Sequence, residues 1–162
     1  MINDHRFDAS VERLRALIAS GALPAQAAPR ARDLLARLET PVRVALIGPE
    51  GGGRTEAVAA LLGAPLLPEV PDRPAIEMVW ADSPRTVMRR ADGSGIEVDD
   101  LASALADPEA VLVTLARPLA PLRRASLVDL VAESDPGDLA AALAWAARRA
   151  DAILWWSAEF GP

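Results

Sequence analysis

The residues of this chain whose types and spacing could do chemistry lie between Gly48 and Thr55, in Gly48-Pro49-Glu50-Gly51-Gly52-Gly53-Arg54-Thr55. Gly48 and Gly53 stand at the spacing of the phosphate-binding loop GxxxxGK[ST], with Thr55 in its last place and Arg54 in place of the lysine. Glycines let several backbone N–H groups converge on an anion, and the positive end of the helix that follows adds to the attraction. In a working loop the lysine meets the β- and γ-phosphates and the Ser/Thr hydroxyl holds Mg²⁺. Gly48, Glu50, Gly51, Gly52, Gly53, Arg54 and Thr55 are thus the candidate nucleotide-binding residues. Arg54 keeps the charge of the lysine, but its planar guanidinium is bulkier than an ammonium; it either points outward or fills part of the nucleotide space. The structural alternative is a glycine-rich turn that binds nothing.

Asp129 is the second candidate. It ends the apolar run Ala125-Ser126-Leu127-Val128-Asp129-Leu130, at the sheet edge where ligands gather in open α/β folds. A carboxylate there can hold Mg²⁺ together with Thr55, or simply cap a nearby backbone group.

The elements around these residues follow from periodicity. Val42–Ile47 reads as a buried strand and Glu56–Leu62 as the helix after the loop, closed by Gly63. Apolar residues at helical spacing predict helices over about 8–20 and 24–38, a hairpin over residues 1–40 that packs on the core formed by 41–162. Residues 64–74 carry four prolines and are irregular. Ile76–Trp80 and Thr86–Arg90 read as a strand pair joined through Asp82-Ser83-Pro84, and Asp92–Gly95 as a turn. A short helix over 98–106, a strand over 111–116, a helix over 138–149 and a last strand over 152–156 complete the chain. Helices alternating with apolar strands predict a three-layer α/β fold with a mostly parallel sheet.

Composition bounds the function classes. The 162 residues, 51% of them hydrophobic, carry a net charge of −6, which disfavours nucleic acid as a partner. All 17 basic residues are arginine, so Arg54 also fits a general loss of lysine from the chain. No apolar run is long enough to span a bilayer, and a cytoplasmic location is the default expectation. With no cysteine and a single histidine, His5, thiolate metal sites and Ser-His or Cys-His catalysis lack their parts.

Taken together, the chain resembles the GTPase domain of bacterial dynamin-like proteins. Residues 42–63 are similar to that family's first strand, phosphate loop and helix. Leu66-Leu67-Pro68 resembles the opening of its first switch, Leu127-Val128-Asp129 the start of its third box LVDTPG, and residues 150–155 its phrase ADAVLWV. The resemblance implies a phosphate-loop NTPase fold binding GTP or another nucleotide with Mg²⁺. It also implies departures. Pro71-Asp72-Arg73-Pro74 stands where the switch threonine is expected, Ala132 replaces the glycine that senses the γ-phosphate, and the NKxD box and the last strands of the sheet are missing. The expectation is a degenerate, truncated pseudo-GTPase with no catalytic residues. It would act as a binding or regulatory module with itself or a dynamin-like partner, through the apolar edge Ala152–Trp156; the sequence leaves membrane association open. A slow Mg²⁺-dependent GTPase or NTPase using Arg54 and Asp129 is the alternative, and a small α/β domain without any nucleotide link is a third reading.

Overall fold

The computed structural model describes residues 4–49, 53–68, 70, 73–132 and 136–157, with the side chains of 4–7 left aside. Contacts divide the chain into two units, Met1–Pro41 and Val42–Pro162.

The first unit holds α1 (Asp4–Ala19) and α2 (Ala28–Glu39). Val11 is the buried apolar residue among its described side chains, and Arg15 ties the helices through Glu39, its Nη2 lying 2.6 Å from the carboxylate. Both partners are largely exposed, so this ion pair contributes little to stability.

The described residues of the second unit form seven strands, and its elements run β1 (Val42–Gly48), α3 (Arg54–Leu62), β2 (Ala75–Trp80), β3 (Arg85–Arg90), β4 (Gly95–Val98), α4 (Leu101–Leu105), β5 (Ala110–Arg117), β6 (Ala125–Val131), α5 (Pro136–Arg149) and β7 (Ala152–Trp155). A 3₁₀ turn over Ala120–Arg123 leads into β6. The sheet order is β4-β3-β5-β2-β6-β1-β7. Ladders β1–β6, β1–β7 and β2–β5 are parallel and join more residue pairs than the antiparallel ladders β2–β6, β3–β5 and β3–β4. The expected α/β fold with a mostly parallel sheet is therefore present.

Alternation along the strands sorts the core onto two faces. On one face Leu46, Ile76, Met78, Val113, Leu115 and Leu127 pack under Val58 and Leu62 of α3, Ala104 of α4 and Leu122 of the 3₁₀ turn. On the other, Ala45, Ile47, Val128 and Leu130 pack under Leu139, Ala142, Trp145 and Ala146 of α5. Each fully buried aliphatic side chain here contributes about 1.5–3 kcal/mol by leaving water. No described helix is long and apolar enough to cross a membrane.

Three local expectations need correction. The strands over 76–80 and 86–90 exist but do not pair with each other, because β5 lies between them and pairs with both. The turn at 92–95 instead joins β3 to β4, a strand the sequence pattern does not announce, since its residues are mostly exposed. The short helix begins at Leu101, not 98: Asp100 is its N-cap, accepting from the Ser103 amide at 2.7 Å.

Candidate functional site

The site lies at the C-terminal end of β1 and on the α3 face of the sheet. β1 delivers Gly48 to the edge, and Gly53 then takes φ +77° as N-cap of α3, a left-handed conformation that a side chain would strain. Glu50, Gly51 and Gly52 lie outside the described residues. Gly48 is constrained from the other side. Its neighbour across the sheet edge is the Trp156 backbone, whose amide donates to the Ile47 carbonyl at 2.7 Å, and a methyl group on Gly48 would overlap the Trp156 carbonyl oxygen.

Asp129 pairs in register with Leu46 of β1 on one side and Ile76 of β2 on the other. Its side chain therefore enters an apolar surround, and it is wholly buried (0% exposed). A carboxylate in such a place must be paired. Two arginines do this. Arg54, the first residue of α3 and 5% exposed, turns inward so that its Nε lies 2.5 Å from Asp129 Oδ1. Its Nη1 donates to the carbonyls of Gly48 and of Pro49, the latter at 2.9 Å. Arg73, with a side chain 4% exposed, comes from the connection before β2 and donates from Nη2 to Asp129 Oδ2. One buried carboxylate thus faces two buried guanidinium groups, leaving an excess positive charge. Arg54 Nε, Arg73 Nη1 and Asp129 Oδ1 are buried with no hydrogen-bond partner among the described residues, so Arg54 Nε and Asp129 Oδ1 meet as an ion pair only.

Of the sequence candidates, the structure brings Gly48, Arg54 and Asp129 together. Arg54 does not point outward; it is 5% exposed and turns in toward Asp129. Thr55 follows on α3, half-buried, and takes no part in the ion-pair cluster. Arg73 is the member that sequence reasoning missed. Asp129 does not end β6, as the sequence pattern suggested, but lies inside it, with Leu130 and Val131 continuing the strand. The available signal was electrostatic: a carboxylate inside a buried strand needs a counter-charge, and Arg73 is the cation in the connection before β2.

Whether Mg²⁺ fits here is decided by the donor set. Both oxygens of Asp129 lie in ion pairs with guanidinium groups, and a divalent cation beside them would meet two like charges. The arrangement does not fit the metal. No group of three or more His, Cys, Asp or Glu residues that could hold a metal ion occurs among the described residues.

No family model and no curated protein matches the chain. Among solved structures, two chains of an oligomerised bacterial dynamin pair, described as providing a mechanism for the long-range sensing and tethering of membranes, are similar in fold. One has a TM-score of 0.58 at 19% identity, covering 88% of this chain and 26% of that one. The other has a TM-score of 0.55 at 18% identity, covering 89% and 25%. This chain thus spans about a quarter of their length. At that identity the likeness is one of fold: the sheet and its flanking helices form a phosphate-loop NTPase-like α/β fold of the kind found in bacterial dynamin-like proteins.

Proposed function

We propose that this domain is a pseudo-GTPase of the dynamin-like type, in which guanidinium groups stand where the metal and the loop lysine of an active relative would act. The observation that carries the reading is the Arg54–Asp129–Arg73 cluster. Phosphoryl transfer needs a metal bridging the phosphates, a cation on the transferred group and a positioned water. Here the candidate metal carboxylate is already neutralised, and the residue in the lysine position is spent on it and on the loop's own carbonyls. Asp129 then has a structural role, holding α3, β6 and the connection before β2 together. Any nucleotide held by Gly48, Gly53, Thr55 and the loop residues between them would be held without Mg²⁺ at Asp129.

The corresponding activity is association. β7 ends the described sheet, with Ile153, Leu154 and Trp155 exposed by 39%, 49% and 49%. An apolar edge strand of this kind invites pairing with another chain, and the fold neighbours are themselves an oligomerised pair. The partner proposed is a second copy or a dynamin-like protein. The test is phosphate release from GTP and ATP with and without Mg²⁺, run beside a mass measurement in solution. The reading expects no Mg²⁺-stimulated hydrolysis and a species heavier than the monomer. Hydrolysis that rises with Mg²⁺ and falls in Thr55→Ala would overturn it and establish a slow NTPase.

A further inference from the structure

The two faces of the sheet are unequally covered. Helices α3 and α4 and the 3₁₀ turn cover one face, whereas on the other α5 packs over β1 and β6, reaching Ala75 at the start of β2. Beside α5 a cleft of about 590 Å³ opens on that second face. Alternation puts Arg43 of β1, Glu77 of β2 and Arg89 of β3 on it together, while Trp145 and Arg149 of α5 make one wall and Arg90 lies at the rim. The apolar floor is Ala75 and Leu112, which pair across β2 and β5.

The cleft reverses the charge of the molecule. In a chain of net charge −6 it is lined by four arginines and one glutamate. The partnered charges account for part of this. Arg43 lies 2.9 Å from Glu77, and Arg90 lies 2.6 Å from Asp107. Arg89 and Arg149 have no carboxylate partner among the described residues, and the Arg149 guanidinium is 5.0 Å from the centroid of the Trp145 ring. Two guanidinium groups without a carboxylate partner among the described residues, an aromatic ring and an apolar floor share one concavity, whose volume lies in the range of small-molecule sites.

We propose that this cleft binds a phosphomonoester, with its dianionic phosphate on Arg89 and Arg149 and its organic part against Trp145, Ala75 and Leu112. Arginine forks suit phosphate oxygens bidentately. Two cations that lack a carboxylate partner among the described residues match a dianion, whereas a carboxylate would leave one charge uncompensated. This site is independent of the phosphate loop, shares no residue with it and needs no metal.

The test uses phenyl phosphate, titrated calorimetrically into the whole chain in EDTA while tryptophan fluorescence is followed. Binding should weaken as salt is added. It should fall by about tenfold or more in R89Q/R149Q, and stay unchanged in R30Q/R37Q, which removes the same charge from exposed positions of the first unit. Trp145→Phe should remove the ligand-linked fluorescence change. A thermal melt of R89Q/R149Q matching the parent excludes misfolding, because both side chains are exposed. A second arm uses phosphatidylcholine vesicles doped with phosphatidic acid. Co-sedimentation that R89Q/R149Q abolishes places the phosphate on a lipid headgroup, and binding of phenyl phosphate alone places it on a soluble molecule. Absence of binding in both arms overturns the proposal, as does binding that Thr55→Ala removes and R89Q/R149Q leaves intact.

Discussion

Replacing Asp129 with asparagine should unfold the domain far more readily than removing either arginine that pairs with it. At an effective dielectric constant of about 20 and charge centres about 4 Å apart, each Asp129–guanidinium attraction is about 4 kcal/mol, opposed in part by the repulsion between the two guanidiniums. Asp129→Asn abolishes both attractions and keeps the repulsion, in a place where neither cation reaches water. Relief of the carboxylate's own desolvation offsets part of the loss, so the expected cost is about 3–5 kcal/mol, the range for breaking a buried pair from one side. Arg73→Gln is different. It removes one attraction together with the repulsion and one buried ion, leaving a neutral Arg54–Asp129 pair, and should cost about 1 kcal/mol or less. For a chain of this size the first change lowers Tm by about 6–20 °C and the second by about 4 °C at most. The assay is thermal and urea unfolding in EDTA, followed by tryptophan fluorescence. Trp80, Trp145, Trp155 and Trp156 all lie in the second unit, so the signal reports on it alone. Equal costs for the two variants, or an Asp129→Asn cost under about 1 kcal/mol, would refute the claim that one carboxylate neutralises two buried cations.

Gly48→Ala should destabilise the domain by about 1–3 kcal/mol through overpacking against the Trp156 backbone, and should shift the tryptophan emission to the red as β7 loosens. Leu154→Ser with Trp155→Ser should weaken self-association by about tenfold or more without changing the melt, read by sedimentation, because both side chains are half-exposed at the sheet edge. The Asp107 carboxyl is held below its ordinary value of 3.8, first by the hydrogen bond from Arg90 and then by that from the Glu109 amide. A depressed folded pKa contributes stability above the ordinary value that is lost as pH falls through the folded one. The stability gap between the parent and Arg90→Gln should therefore be open at neutral pH and close as pH drops below 3.8, by acid titration of the melt.

What was legible in the sequence was what local pattern decides. β1 and β6 stand out because strands buried on both faces are continuous apolar runs, and α3 because glycines bracket it. The pairing of the strands over 76–80 and 86–90 was not legible. Asp82-Ser83-Pro84 does turn the chain, but β5, about thirty residues further along, takes the place between them, and only the completed sheet reveals it. β4 hides because Gly95, Ile96 and Glu97 are exposed and gain little from apolar burial. At the site, spacing pointed to Gly48 and Arg54 through the loop pattern and to Asp129 as a carboxylate in an apolar run, although Asp129 lies inside β6 and not at its end. Arg73 lay in a proline-rich connection with no motif, and its role emerges only when the charge of a wholly buried Asp129 has to be balanced.

The most direct test of the central claim is side-chain NMR of the Arg54 guanidinium. The account predicts an Nε–H resonance protected from solvent exchange, unmoved by Mg²⁺ with GTP, and lost in Asp129→Asn. An Arg54 Nε–H that exchanges freely, or that shifts only when Mg²⁺ and nucleotide are added together, would contradict it.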